Sequence, residues 1–116
     1  NLPMVECFGD GSPKREFLYV DDLADASLYL MNKDTSETDT LINIGAGTEI
    51  SIKEIAELIS DVVEYDGEIH WDTSKPNGAL RRILDVSKVN ALGWEAKTSL
   101  IEGVKKVICD LDERYG

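Results

Sequence analysis

The chain has 116 residues, a length that suits one domain with one hydrophobic core. Apolar residues make up 42% of it and charged residues 30%, the proportions of a folded globular protein, which argues against disorder. The formal net charge of −11 opposes binding to nucleic acid or anionic lipid, and no apolar run approaches the roughly 20 residues needed to cross a bilayer.

The first residues, NLPMVECFGDG, lack the charged-then-apolar pattern of a signal peptide, so we expect a soluble, cytoplasmic protein. Cys7 and Cys109 stand near opposite ends of the chain without the spacing of metal ligands. We therefore expect two reduced cysteines with structural roles, and no metal site.

The first third of the chain predicts a loop, a strand and a helix. FGDGSPKREF is rich in turn residues, and Phe17–Val20 is typical of a short strand. Asp21 is placed to cap a helix that runs to about Asn32, with one apolar face formed by Leu23, Ala26, Ser27 and Leu30. The following KDTSETDT is polar and predicts a surface loop.

The middle of the chain predicts a second strand–helix unit and a third strand. Leu41–Ile44 has the composition of a buried strand, and Ser51 with Glu54 forms a capping box that opens a helix. The apolar stripe of this helix consists of Ile52, Ile55, Ala56, Ile59 and Val63. Glu68–Asp72 predicts a further strand before the loop TSKPNGAL.

The last third predicts two helices. Asp85 is placed to cap a short helix that runs through Leu92 and stops at Gly93. Ser99 with Glu102 forms a second capping box, and the core-facing residues of the final helix are Ile101, Val104, Ile108 and Leu111. Together the segments predict a single α/β piece, an α+β lobe with about four helices and two or three short strands.

Two short motifs resemble the cofactor-binding turn and the catalytic pair of a dehydrogenase. Gly45-Ala46-Gly47 follows a predicted strand and precedes a helix, but Ile50 stands where a dinucleotide-binding turn needs its third glycine, so we interpret it as a tight turn. Tyr29 and Lys33 have the Tyr-x-x-x-Lys spacing of a catalytic pair. Too little chain precedes them to build a cofactor fold, so we interpret Tyr29 as a residue that flanks the apolar stripe.

His70, the single histidine, lies in a predicted strand. With no second histidine or thiol cluster near it in sequence, a metal site is not indicated, and we expect a packed or hydrogen-bonded imidazole.

The few basic residues gather in two loops. Lys14 and Arg15 follow the first glycine loop, and Lys75, Arg81 and Arg82 flank the Pro-Asn-Gly loop. An acidic protein that binds a diphosphate needs such a local concentration of positive charge. Alternatively, these are solvated loop charges paired with acids such as Glu16 or Asp72.

The string GDGSPKREFLYVDDLADA resembles the GDP-L-fucose synthase family, the 3,5-epimerase/4-reductases of GDP-4-keto-6-deoxymannose among the extended short-chain dehydrogenase/reductases. The resemblance continues through INIGAGTEISIKEIAELI and DTSKPNGALRRILDVSKVNALGW, and so covers nearly the whole chain. REFLYVDDLA is typical of the wider superfamily, whereas SKPNG followed by RRILD points to the fucose synthase branch.

The resemblance implies substrate-binding residues and no catalytic ones. Arg15 matches the arginine expected to hold the diphosphate of GDP, and Phe8 stands where the family usually has tryptophan. Asn77 stands where the family commonly has aspartate. We therefore assign substrate binding to Phe8, Arg15, Lys75, Asn77 and Arg81, and assign no residue of this chain to catalysis, cofactor binding or metal binding.

The resemblance also implies that residues 1–116 are a C-terminal substrate-binding domain whose N-terminal Rossmann domain is absent from this chain. That absent domain would bind NADPH and carry the catalytic residues, so we expect the isolated chain to be inactive. Strand 41–44 would join the edge of the larger sheet. The full-length enzyme would be a homodimer that acts on a GDP-sugar, with no nucleic-acid or membrane partner.

Two other functions remain open from the sequence. One is the C-terminal lobe of another nucleotide-sugar epimerase or dehydratase, acting on a UDP or dTDP sugar, because one fold serves many substrates. The other is a non-enzymatic acidic module that binds a protein partner through an exposed helix face.

Overall fold

A computed structural model describes residues 2–34 and 41–116, which form two small sheets and four helices. The strands are β1 (Met4–Phe8), β2 (Lys14–Arg15), β3 (Ile50–Ser51), β4 (Glu68–Asp72) and β5 (Arg81–Arg82). β1 pairs in parallel with β4, while β2 lies between β3, which is antiparallel to it, and β5, which is parallel to it. The helices are α1 (Val20–Met31), α2 (Ile52–Val62), α3 (Ser87–Ala91) and α4 (Leu100–Tyr115). The expected α/β class is confirmed.

Both predicted capping boxes are present. The Ser51 hydroxyl accepts a hydrogen bond from the Glu54 amide at 3.1 Å, and the Glu54 carboxylate accepts one from the Ser51 amide at 2.9 Å. Ser99 and Glu102 make the same reciprocal pair at 3.3 Å in each direction. Each box satisfies amides that the first turn of a helix leaves without a partner, so α2 and α4 begin where the sequence predicts.

The start of α1 differs from the prediction. No strand forms at residues 17–20; Tyr19 is the N-cap, Val20 is already helical, and no side chain caps the first turn. The predicted cap, Asp21, is therefore inside the helix. Aromatic and β-branched residues favour strands, which is why the sequence predicted a strand here. That preference decides the conformation only where packing does not.

Leu41–Ile44 is not a strand in the described chain either. Ile42 and Ile44 nevertheless pack against the core formed by Ala26, Val89 and Trp94, as a buried strand would. The apolar pattern thus predicted the burial but not the backbone pairing. The predicted loop at 33–40 lies mostly outside the described residues.

The structure adds β1, which the sequence analysis did not identify. All five of its residues pair with β4, from Met4 opposite Glu68 to Phe8 opposite Asp72. The partner strand is more than 60 residues away in sequence, and no local turn signals the pairing, because parallel strands are joined by long crossovers. His70 lies on β4 opposite Glu6 and is exposed, so the expectation of a packed imidazole was wrong.

Asp85 acts near α3 but not as its N-cap. Its carboxylate accepts a hydrogen bond from the Ser87 amide at 2.9 Å, while Val86 occupies the cap position. Hydrogen bonds from Ser87 hold the pKa of the Asp85 carboxyl below its ordinary value. The helix ends at Ala91, and Gly93 has the positive φ of 97° that favours glycine after a helix.

The core of the described chain is small, and the shape is flat. Apart from Pro13, four apolar side chains among the described residues are buried: Ala26, Ile55, Val89 and Trp94. The radius of gyration is 17.2 Å and the extents are 54 × 34 × 18 Å. A compact domain of this length has a radius of gyration of about 13 Å. The described residues thus bury one small core cluster, in a shape less compact than this length usually gives.

The helices show the same incomplete burial. On α4, Val104 and Ile108 are half-buried, whereas Ile101 and Leu111, which we expected to face the core, are exposed. On α1, Ala26 and Leu30 face inward as predicted, but Leu23 and Ser27 are exposed. No helix in the described ranges is long and apolar enough to span a membrane.

Removing either capping hydroxyl should destabilise the fold. Ser51→Ala and Ser99→Ala should each lower the free energy of unfolding by about 0.5–2 kcal/mol, because each leaves an amide of the first helical turn without its acceptor. Ser27→Ala is the control, because the Ser27 hydroxyl donates to the Leu23 carbonyl inside α1 and caps no helix. Urea unfolding followed by circular dichroism measures the difference; midpoints equal to that of the control would show that the boxes do not stabilise the helices.

Candidate functional site

Backbone hydrogen bonds bring the two basic loops together. The Gly9 amide donates to the Asp72 carbonyl at 2.9 Å, so the β1–β4 pairing continues into the first residue of the glycine loop. The Lys14 amide donates to the Leu80 carbonyl at 2.9 Å, directly before β2 pairs with β5. Two segments about 65 residues apart in sequence therefore share one edge of the molecule.

A side chain also joins the loops. Asn77 Oδ1 accepts a hydrogen bond from the Asp10 amide at 2.8 Å. The Asn77 side chain lies over Gly9, whose φ of 81° is in the left-handed region; a Cβ at Gly9 would overlap it, with Asn77 Cγ only 3.2 Å away. Glycine is thus required at position 9 both for its conformation and for this close approach.

The pairing of β2 with β5 places two arginines opposite each other. Arg15 is opposite Arg82 in register, and residues paired on neighbouring strands project to the same face. Within residues 2–34 and 41–116, neither arginine forms an ion pair. Like charges placed opposite each other destabilise a sheet, so this pair carries a positive field without an internal counterion.

The acids proposed as alternative partners for these charges are engaged elsewhere. The Glu16 carboxylate accepts a hydrogen bond from the Gly47 amide at 3.0 Å. The Asp72 carboxylate accepts from the Ser74 amide at 3.0 Å and from the Ser74 hydroxyl. The interpretation of the basic loops as internally paired charges therefore fails for Glu16 and Asp72.

Phe8 and Lys75 border the same site. Phe8 ends β1 with 65% of its surface exposed, and Lys75 Nζ lies 5.7 Å from the centroid of its ring. A lysine over an aromatic face at this distance is in cation–π range. Arg15 Nη2 lies near the other end of the loop, 4.0 Å from where a Cβ of Gly78 would be.

Arg81 lies apart from this group. It is opposite Lys14 in register, one position away from Arg82, and so projects to the other face of the sheet. Its guanidinium donates to both carboxylate oxygens of Glu49, at 2.8 and 3.2 Å. Of the five residues assigned to substrate binding, the structure gathers Phe8, Arg15, Lys75 and Asn77, while Arg81 is neutralised by Glu49.

Arg82 is the residue that the sequence assignment left out. Its position in the sequence places Arg82 in the predicted basic loop. Only the register of β5 against β2 shows that Arg82, and not Arg81, lies opposite Arg15. Strand alternation within RRILD could have shown that only one of the two arginines shares a face with Arg15, but not which one.

A side chain of the protein fills the place at the Gly45–Gly47 turn where a phosphate would bind. A Cβ at Gly45 would overlap the Glu16 carboxylate, and the Gly47 amide donates to that carboxylate. An internal acid thus takes the amide that a phosphate would use in a dinucleotide-binding turn. This observation favours the interpretation of the segment as a tight turn.

The Tyr29 hydroxyl is also committed to structure. It donates to the Leu92 carbonyl at 2.7 Å and so fastens α1 to the end of α3, while Lys33 Nζ lies 5.7 Å from the ring centroid. A catalytic tyrosine must direct its hydroxyl at a substrate. The contact with Leu92 favours a packing role.

Two carboxylates of the VDDLADA segment hold the fold together. The buried Asp22 accepts from the Thr98 amide at 2.9 Å and from the Thr98 hydroxyl at 3.1 Å. Asp25 accepts from Trp94 Nε1 at 2.9 Å and from Lys97, and these bonds lower the pKa of its carboxyl. In the part of the chain that the structure describes, no three His, Cys, Asp or Glu side chains form a group that could hold a metal ion.

The sequence has relatives among nucleotide-sugar enzymes. Residues 2–45 match the NAD dependent epimerase/dehydratase family. GDP-L-fucose synthase 1 from Arabidopsis thaliana is 45% identical over 102 residues, which make up 88% of this chain and 31% of that protein. The resemblance to GDP-L-fucose synthases is therefore confirmed, and the chain spans about a third of the length of the curated relatives that it matches.

Solved structures share the fold. A GDP-mannoheptose C4 reductase from Campylobacter jejuni with NADP bound has a TM-score of 0.79 and 38% identity, covering 90% of this chain and 33% of that one. UDP-glucose 4-epimerase from Thermotoga maritima with UDP-glucose has a TM-score of 0.83 and 33% identity, covering 97% of this chain and 36% of that one. The relatives are thus named as epimerases, reductases and synthases of nucleotide sugars; the matched family is described as NAD dependent, and the Campylobacter reductase holds NADP.

Two glycine substitutions test the contact between the loops. Gly9 and Gly47 both have positive φ, so alanine at either position should cost roughly 1–2 kcal/mol of stability. Gly9→Ala should cost more than Gly47→Ala, because a Cβ at Gly9 meets Asn77, whereas one at Gly47 has its nearest neighbour, Val86 Cγ2, at 3.5 Å. Thermal unfolding of the two variants gives the comparison; an equal loss would mean that Asn77 does not lie against Gly9.

Proposed function

We propose that this chain is the C-terminal, substrate-binding portion of a GDP-L-fucose synthase, an enzyme that epimerises and reduces GDP-4-keto-6-deoxy-D-mannose to GDP-L-fucose with NADPH. The observation that carries the proposal is the pair Arg15 and Arg82, opposite each other in register and without an acidic partner in the described chain. The Arg15 guanidinium donates to the Lys14 carbonyl at 2.8 Å, but neither arginine has an acidic partner in the described chain. In a protein of net charge −11, two such arginines on one face are best explained by an anion that they bind.

A diphosphate suits this arrangement. Each guanidinium can donate two parallel hydrogen bonds to phosphate oxygens, and two neighbouring guanidinium groups match two linked phosphates. Lys75 adds a third positive charge at the Phe8 end, as a mobile point charge. The exposed Phe8 ring offers a flat apolar wall for the part of the ligand that carries no charge.

Arg81 has a supporting place in this proposal. Its ion pair with Glu49 would have to open before its guanidinium reached a ligand. We therefore propose that Arg81 holds β5 against the turn that contains Glu49, while Arg82 faces the ligand on the opposite face of the sheet. Arg81 would contact substrate only if a phosphate displaced Glu49.

The proposal places the remaining chemistry in the rest of a longer polypeptide. An N-terminal Rossmann domain binds NADPH and supplies the catalytic residues, and the intact enzyme is a cytoplasmic homodimer. The family match and the NADP-bound relative support the cofactor. The packing of the Tyr29 hydroxyl against Leu92 and the occupation of the Gly45–Gly47 turn by Glu16 support inactivity of the isolated chain.

An exposed apolar stripe on α1 supports the proposal that the full polypeptide has an N-terminal domain. Val20, Leu23, Leu28 and Met31 recur at helical spacing on α1 and are all exposed, Leu28 at 60% and Met31 at 80%. Leu41 is likewise 75% exposed. A stripe of this kind is normally covered, and the thin shape and small core of the chain point the same way.

The UDP-glucose 4-epimerase match supports a second candidate, a lobe that binds a UDP sugar. That structure was solved with UDP-glucose and resembles this chain with a TM-score of 0.83, which supports a uridine nucleotide as the alternative ligand. The sequence identity is 33% there, against 45% for the Arabidopsis GDP-L-fucose synthase, which favours GDP. A non-enzymatic interaction module would explain the α1 stripe but not the unpaired arginines.

The proposal predicts a strong and local effect of Arg15 on nucleotide binding. In the intact polypeptide, Arg15→Ala should weaken GDP binding by about tenfold to a hundredfold, because a charge-assisted bidentate contact contributes about 1.5–3 kcal/mol. Lys105→Ala removes the same charge from the exposed face of α4 and is the control.

Calorimetric titration with GDP, UDP and dTDP at fixed salt makes the measurement. Equal losses in the Arg15 and Lys105 variants would mean that net charge, and not this site, governs binding. Tighter binding of UDP than of GDP would replace the first candidate with the second.

A further inference from the structure

We infer that Asn77 is a positioning residue, which sets the geometry of the diphosphate site by holding the glycine loop against the Pro-Asn-Gly loop, and that it does not itself contact the ligand. This inference rests on the proposed function, since it assigns a role within the same site. It departs from the sequence analysis, which placed Asn77 among the residues that contact substrate.

The Asn77 amide is already used within the protein. Its oxygen accepts from the Asp10 backbone amide at 2.8 Å. The Asn77 side chain also contributes, after the larger effect of Ser12, to lowering the pKa of the Asp10 carboxyl. The Asn77 oxygen is therefore committed to the Asp10 backbone, and a ligand could be reached only through the NH2 donors, which the double variant below removes.

The position of Asn77 explains how it acts on the site. It follows Lys75 by two residues and precedes Gly78, against which Arg15 Nη2 lies. Its partner, Asp10, follows Phe8 by two residues. A single hydrogen bond thus connects the segment that carries Phe8 and Arg15 with the segment that carries Lys75.

The bond joins two loops whose tips have no regular secondary structure. Gly9, Asp10 and residues 76–79 are outside the strands, and both Gly9 and Gly78 have positive φ. Loops of this kind move more than the strands that they connect. The β1–β4 and β2–β5 pairings and the bonds from Gly9 to Asp72 and from Lys14 to Leu80 hold the bases of the loops, whereas the Asn77 bond holds their tips.

A charge-conserving exchange separates positioning from ligand contact. Asn77→Ala removes the acceptor. Asn77→Asp alone would set a second carboxylate against Asp10, so it is combined with Asp10→Asn; the double variant keeps an acceptor at 77, an acceptor for the Ser12 amide at 10, and the net charge. Asn90→Ala, on the exposed surface of α3, is the control.

Two readouts are needed. The first is the hydrogen-exchange rate of the Asp10 amide in the chain without nucleotide, measured by NMR. The second is GDP affinity of the intact polypeptide. Asn77→Ala should raise the exchange rate and weaken GDP binding, each by roughly two- to tenfold, whereas the double variant and the control should stay near wild type in both.

Three results would overturn the inference. If the double variant loses as much affinity as Asn77→Ala, the Asn77 nitrogen contacts the ligand. If the Asp10 amide exchanges at the wild-type rate in Asn77→Ala, the bond does not hold the loops. If exchange accelerates but GDP affinity is unchanged, the bond does not position the site. Wild type that binds no GDP would instead refute the proposed function, and the exchange data would still report on the bond.

Discussion

The pairing of β2 with β5 is the constraint on which the candidate site depends. Only two residue pairs are involved, Lys14 with Arg81 and Arg15 with Arg82, yet they bring basic residues from distant parts of the chain into one register. The same pairing also decides on which face of the sheet each basic side chain lies. Arg81 meets Glu49 on one side, and Arg15 and Arg82 lie on the other without an acidic partner among residues 2–34 and 41–116. A shift of one residue would exchange these roles, because strand register decides which face each side chain occupies.

The arrangement of the acids is as informative as that of the bases. Glu16 and Asp72 are close in sequence to the basic loops, and surface charges of opposite sign commonly pair when they are near. Instead, Glu16 satisfies the Gly47 amide and Asp72 satisfies Ser74. These local hydrogen bonds hold the acids in turns of their own, so the positive field of the arginine pair is preserved in an acidic protein. Such a field is useful only if an anionic ligand enters it.

Much of the helical structure could be predicted from the sequence, because capping boxes and helical periodicity are local signals. Ser51 and Ser99 mark the starts of α2 and α4 correctly. Features that depend on distant partners could not be predicted. β1 needs β4, the conformation at residues 17–20 depends on packing rather than on β-propensity, and the partner of Arg15 depends on the register of β5. The gathering of Phe8, Arg15, Lys75 and Asn77 was implied by family resemblance, whereas the bond from Asp10 to Asn77 and the ion pair of Arg81 appear only in three dimensions.

The most direct test of the account compares GDP with guanosine in an NMR titration of this chain, each at millimolar concentration. The claim is that the loops bind the diphosphate. GDP should therefore shift the backbone amides of residues 9–15 and 75–82, while guanosine, which lacks the phosphates, should leave most of them in place. Shifts caused equally by both ligands, or GDP shifts centred on the Gly45–Gly47 turn, would contradict the claim that the arginine pair is the anion site.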